Sequence, residues 1–293
     1  MTTVAFHHAD VFAEGPYSGN SVAVVVDPPP LADEQLAIIT RELRHFETIF
    51  VSTGTEPVPA RVFDLERELA FAGHPVLGAA AVLHDHPDPD ATITRSFALP
   101  ARTVTVRTCG ELATGVLATL DQGRPDLVAV PPESARQAIA EAIGLSTDDL
   151  DPELPPEIHS TGLRYLVIPV RPGVLARAGI RHDITEFLDG LGAEFAYLLD
   201  VAGLEGRHWN NDGVLEDVAT GSAAGCVAAF LMRHGLAADG TRMSLRQGQF
   251  TGRPARIEIT AFGDATSVER VIVSGRVVRV ATGRLHALPA HDL

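Results

Sequence analysis

Glu47 follows Phe46 and is succeeded by Thr48, Ile49 and Phe50. Apolar neighbours of this kind draw a carboxylate out of water, which disfavours its charged form and lifts its pKa toward the range useful for accepting and returning a proton. Taken alone, Glu47 fits a solvated strand-end glutamate better. Two further places could carry chemistry. Gly73-His74-Pro75 and Gly221-Ser222 each open a run of small apolar residues. A glycine at a helix start lets a ligand approach the backbone, and the unpaired amides and helix dipole favour an anion there. Two such starts would grip one carboxylate, although either glycine alone is read more simply as relief of crowding. Asp217 could cap the second helix, and His74 could be an ordinary buried, hydrogen-bonded histidine.

Composition removes competing chemistries. All 23 basic residues are arginine. Without lysine there is no amine for a pyridoxal phosphate Schiff base and no P-loop lysine to reach nucleotide phosphates. His7-His8-x-Asp10 and His84-Asp85-His86 gather metal-ligand types, but adjacent strand residues point to opposite faces, so loop and surface histidines are expected and no metal. Thr220-Gly221-Ser222 lacks the preceding strand of a nucleophile elbow. Cys109 and Cys226 are too few for a disulfide framework and are expected as free thiols. A net charge of −15 opposes nucleic acid as a partner. No apolar run approaches the roughly 20 residues of a membrane span, and the N-terminus shows no secretory pattern, so a cytoplasmic protein is expected.

These residues need elements to hold them. Val4–Phe12 and Ser21–Val26 read as strands, with a turn-rich loop between them and Pro28–Pro30 ending the second. Asp33 is a plausible N-cap for a helix with Leu36, Ile39 and Leu43 on one face, ending near His45. Glu47–Val51 follows as a strand, which puts Glu47 at a helix–strand junction. Arg61–Leu69 is another strand. Gly73–Leu83 is a buried helix with Pro75 tolerated in its first turn. His84–Asp90 is a polar loop and Thr103–Arg107 a strand. Asp121–Pro132 is the best candidate linker. Beyond it come a helix over Ser134–Ile143, strands at Tyr165–Val170 and Phe195–Leu199 flanking a helix at Thr185–Leu191, and a second small-residue helix, Ala223–Arg233. Strands at Ser244–Gln247, Ala255–Thr260, Val271–Ser274 and Arg276–Val280 finish the chain. Superposing Gly73 on Gly221 also superposes Ala80, Ala81 and Leu83 on Ala228, Ala229 and Leu231, a match that alanine-rich helices can reach by composition alone.

Together, the separated stretches Asp10-Val11-Phe12 with Ser18-Gly19-Asn20, Glu47–Val51, Phe71–Pro75 with Leu77-Gly78, and Glu216–Gly225 resemble the phenazine biosynthesis PhzF-like family. Gln247-Gly248 and Gly252-Arg253-Pro254 extend the likeness over nearly the whole chain. The resemblance implies an α+β, diaminopimelate epimerase-like fold: two pseudo-symmetric domains, 1–120 and 121–293, each a curved sheet wrapped about a central helix. The last strand would be free to return to the first domain. It also implies an active site between the domains and a homodimer.

In such enzymes a glutamate at the place of Glu47 shuttles a proton between carbons of an unsaturated acid. Residues matching His74 and Asp217 orient that acid, and Asn20, Gly73, Gly221 and Ser222 would bind it, without cofactor or metal. One acid with a tuned pKa suffices for such a transfer. The chain departs from the pattern at Phe46, where many relatives carry a small hydroxyl residue, and at Val218, where proline is usual. An isomerase acting on a small amino-acid-derived carboxylate is implied, in a phenazine-type or other antibiotic pathway, alkylproline precursors included. The related two-thiol epimerases carry a cysteine at each glycine helix start, where this chain has Ala72 and Thr220; Cys226, about one turn beyond Ser222, would point into the core. A two-thiol epimerase and an inactive acid-binding or interaction protein are the alternatives.

Overall fold

The computed structural model describes residues 3–84, 86, 88–111 and 114–290; Asp85 and Pro87 of the polar loop lie outside them. The chain forms two compact units, Met1–Asp121 with Ser274–Leu293, and Gln122–Val273. Among the described residues strands far outnumber helices.

In the first unit the elements run β1 (Val4–Val11), β2 (Asn20–Val26), α1 (Asp33–Leu43), β3 (Glu47–Val51), β4 (Val58–Asp64), β5 (Glu68–Leu69), α2 (Gly73–Val82), β6 (Ile93–Ala98), β7 (Thr103–Glu111) and β8 (Gly115–Gly123), whose last residues, Gln122 and Gly123, belong to the second unit. β1 pairs antiparallel with β2, β2 runs parallel to β3, and β3 pairs antiparallel with β4. α2 is buried from His74 to Val82 and packs on β1, β2, β3 and β7. Its slimness is required: a Cβ on Gly78 would come within 2.6 Å of Val22 Cγ1. α1 is amphipathic instead. Leu36 and Ile39 bury against Val4, Val25, Phe50 and Phe63, each worth about 1.5–3 kcal/mol relative to exposure.

The second unit holds β9 (Asp126–Ala129), α3 (Arg136–Ala142), β10 (Glu157–Ser160), β11 (Arg164–Val170), α4 (Thr185–Leu191), β12 (Phe195–Asp200), β13 (Glu205–Trp209), β14 (Glu216–Asp217), α5 (Gly221–Arg233), β15 (Arg242–Gln247) and β16 (Ala255–Gly263). α5 is buried from Gly221 to Met232 and packs on β10, β11 and β16. The last strand, β17 (Val268–Leu285), starts in this unit and runs on into the first, where Val277–Leu285 pairs with β1.

Several local expectations change. Asp33 is the first helical residue and Ala32 the N-cap, because the Gln35 side chain takes the Ala32 amide while Asp33 pairs with Arg61 at 2.9 Å. The strand expected over Arg61–Leu69 is broken into β4 and β5 by a turn in which Asp64 Oδ1 accepts the Glu66 and Arg67 amides. The expected linker Asp121–Pro132 contains β9, which pairs with β10.

At the far end of α5 the buried Glu157 carboxyl gathers three basic side chains. Glu157 meets His159 Nε2 at 2.8 Å and both Arg233 Nε and His234 Nε2 at 3.2 Å. Burial alone would raise the Glu157 carboxyl, but His159, His234 and Arg233 together hold it below the usual carboxylate range. A depressed folded-state pKa stabilises the fold above the ordinary value of 4.5, and that contribution is lost as pH falls through the lower folded value. Urea unfolding at pH 7 and again below pH 4.5 checks this: the stability gap between the parent and Glu157→Gln narrows in acid.

Candidate active site

Each sequence-predicted residue has a definite support. In the first unit, Glu47 opens β3 in register with Val22 of β2, so Asn20, Val22 and Glu47 share the face turned toward α2. Asn20 is placed by the loop before it: Asp10 Oδ2 accepts the Tyr17 amide at 2.7 Å, and Ser18 Oγ accepts the amides of Glu14 and Gly15. Glu47 and His74 are 8% and 7% exposed. Glu47 Oε2 lies 3.7 Å from His74 Nδ1, within ion-pair reach but longer than a hydrogen bond. Gly73 begins α2, whose first turn receives no side-chain cap from Ala72.

In the second unit, Asp217 ends β14 and is 7% exposed. Its Oδ2 accepts the Thr220 hydroxyl at 2.6 Å, which ties it to the N-cap residue of α5. That helix start is held by its carbonyls and its serine hydroxyl. Gln122 Nε2 donates to Gly221 O at 2.9 Å, Thr161 Oγ1 to Ser222 O at 3.3 Å, and Ser222 Oγ meets the Tyr165 hydroxyl at 2.8 Å. Thr220, the N-cap residue, places no side-chain cap on the first turn. His208 stands opposite Asp217 across β13 and β14. Burial lowers its pKa despite the Asp217 charge, so the imidazole is neutral, with Nδ1 placed to donate to Ala196 O at 2.9 Å. Thus Glu47 and His74 come together in one unit, and Asp217, Gly221 and Ser222 in the other.

The family model for PhzC-PhzF, phenazine biosynthesis-like protein, matches residues 9–283. The chain belongs to this family. It is 32% identical to trans-2,3-dihydro-3-hydroxyanthranilate isomerase of Pseudomonas chlororaphis, over 95% of this chain and 99% of that protein. The solved structure of the predicted epimerase PA4716 from Pseudomonas aeruginosa superposes with a TM-score of 0.89 at 44% identity, covering 97% of this chain and 99% of that one. The Bacillus anthracis PhzF-family protein shares the fold, with a TM-score of 0.81 at 21% identity over 98% of this chain and 100% of that one. This PhzF-family chain is an isomerase, the class that its relatives' names give.

Cys109 and Cys226 are free thiols. Cys226 is fully buried in α5, and burial pushes its thiol up to about 12. A thiolate base there is disfavoured. Iodoacetamide at pH 8 is expected to leave Cys226 unmodified until denaturant is added; peptide mass spectrometry reads this directly. Among the described residues no group of three or more His, Cys, Asp or Glu side chains is placed to hold a metal ion, and no helix is long and apolar enough to cross a membrane.

Sequence reasoning assigned no role to Tyr165, Thr220, His208 or Gln247. All are buried side chains that carry a polar group. Only Tyr165 carried a signal in the sequence, a hydroxyl beside the apolar run Leu166-Val167-Ile168; His208 and Gln247 lie in strands rich in other polar residues, and Thr220 lies in none.

Proposed function

We propose that this PhzF-family isomerase shifts a double bond in a small unsaturated, amino-acid-derived carboxylate by proton transfer, without cofactor. Glu47 takes a proton from one carbon; the released electron pair forms the new double bond while the old π pair accepts the proton at the second carbon. Nothing is oxidised or reduced, and one carboxyl group serves as base and then as acid. His74 and Asp217 orient the substrate, and Asn20 with the amides of Gly73, Gly221 and Ser222 receives its carboxylate. The two units act as pseudo-symmetric halves of a homodimer-forming chain.

The observation that carries the reading is the buried Glu47 carboxylate, 3.7 Å from His74 Nδ1 beside the glycine-led start of α2. The name of the Pseudomonas chlororaphis relative supports a cyclic dihydro amino acid as substrate. Other unsaturated acids of secondary metabolism, alkylproline precursors among them, fit the same chemistry. The test is incubation of the protein with trans-2,3-dihydro-3-hydroxyanthranilate and with alkylproline-type unsaturated acids in D2O. Carbon-bound deuterium, read by NMR, is expected in the product. Its absence with every acid, under conditions where the Pseudomonas chlororaphis enzyme incorporates it, sinks the proposal.

A further inference from the structure

Gln247, the last residue of β15, is completely buried. A primary amide has two N–H donors and two acceptor lone pairs, and Gln247 uses three of the four on the segment that carries Asp217 and the fourth on Tyr197 of β12. Its Oε1 accepts the Thr220 amide at 3.1 Å and the Tyr197 hydroxyl at 3.0 Å. Its Nε2 donates to the Asp217 carbonyl at 2.9 Å and to Thr220 Oγ1 at 3.0 Å. The orientation is forced, because a backbone N–H can only donate and a backbone carbonyl can only accept; the flipped amide would face two like partners.

The forced orientation sets a proton. Since Thr220 Oγ1 receives an N–H from Gln247, its own hydrogen must point elsewhere, and the acceptor at 2.6 Å is Asp217 Oδ2. Tyr197 keeps its phenolic proton, since burial raises its pKa and the Asp217 charge adds to the shift, so it stays a donor to the amide. Gly248, the next residue after Gln247, also lies close to this segment. It adopts φ +81°, and a Cβ there would come within 2.8 Å of the Val218 carbonyl. A fully satisfied polar network inside a low-dielectric interior selects one geometry.

We propose that Gln247 and Thr220 are positioning residues that fix the rotamer and acceptor role of the Asp217 carboxylate, through a directed chain from Tyr197 and Gln247 to the Thr220 hydroxyl. This rests on the reading of Asp217 as a residue that orients substrate, and the test separates the two. Gln247→Met and the isosteric Thr220→Val are made alone and with Asp217→Asn, and turnover is followed with trans-2,3-dihydro-3-hydroxyanthranilate in D2O. Each single variant is expected to lower kcat about tenfold with KM within about twofold, the scale of one hydrogen bond to a charged group. On the Asp217→Asn background the same changes are expected to cost less than about twofold.

Independently of any substrate, hydrogen exchange at the Thr220 amide is expected to rise about tenfold or more in Gln247→Met, while the β11 and β12 amides keep parent rates. Parent-like turnover in Thr220→Val, equal losses in both backgrounds, or unchanged Thr220 exchange would each overturn the proposal. If Asp217→Asn itself turns over at the parent rate, the orienting role of Asp217 falls instead, and the exchange result still decides whether Gln247 pins the segment. Should Gln247→Met fail to fold, Thr220→Val keeps the amide and its remaining bonds, and its kinetics decide.

Discussion

Glu47→Gln is expected to lower kcat by about 10²–10⁴-fold and to abolish carbon-bound deuterium incorporation, the range typical of losing a positioned general acid–base group. Glutamine keeps the shape and size of the side chain, so substrate contacts survive and KM moves far less than kcat. It has no proton to cycle between two carbons. Stability should hold, since glutamine matches the size and shape of this buried side chain and keeps a hydrogen-bonding group beside His74. The decisive comparison is therefore turnover against thermal midpoint on the same preparation. A variant that melts like the parent and exchanges at the parent rate would remove Glu47 from the mechanism.

How much of this was legible without coordinates differs by element. The helices α2 and α5 were readable because unbroken small apolar runs after a glycine leave few alternatives, and Glu47 was readable as a junction residue because Thr48–Val51 is β-branched and aromatic. Other strands were hidden. β6 carries Arg95 and Ser96 on partly exposed positions, and β13 carries Arg207 and His208, polar residues whose burial depends on partners from elsewhere in the chain. The turn between β4 and β5 uses Leu65-Glu66-Arg67, with no glycine or proline to announce it, because Asp64 supplies the bonds. Gly275 produced the opposite error: it read as a break between two strands, whereas β17 runs straight through it and the missing Cβ makes room for the Phe12 ring. In the site, single residues were nameable, but their pairings were not. His74 reaches Glu47, and Gln247 reaches Asp217, only through the topology of their sheets.

Arg207→Leu is expected to cost about 3–5 kcal/mol of stability, the loss seen when one member of a buried pair is removed and the other charge is left behind. Arg207 is 7% exposed and grips Glu216 with two parallel bonds, Nε to Oε1 at 2.9 Å and one terminal nitrogen to Oε2 at 2.7 Å. Its other terminal nitrogen donates to the Leu175 carbonyl at 2.6 Å, and the guanidinium lies 4.2 Å from the ring centres of both Trp209 and Phe250. Leucine replaces the stem but neither the fork nor the stacking, so Glu216 keeps its charge without a partner and two aromatic faces lose their cation. Urea unfolding should show the loss in midpoint with little change in slope. The double variant Arg207→Leu with Glu216→Leu should recover part of it, because desolvating a lone carboxylate is the dominant penalty. Turnover provides the link to function. Glu216 immediately precedes Asp217 on β14, so the single variant should lose activity below its unfolding range, as the strand that presents Asp217 loosens before the rest of the unit melts.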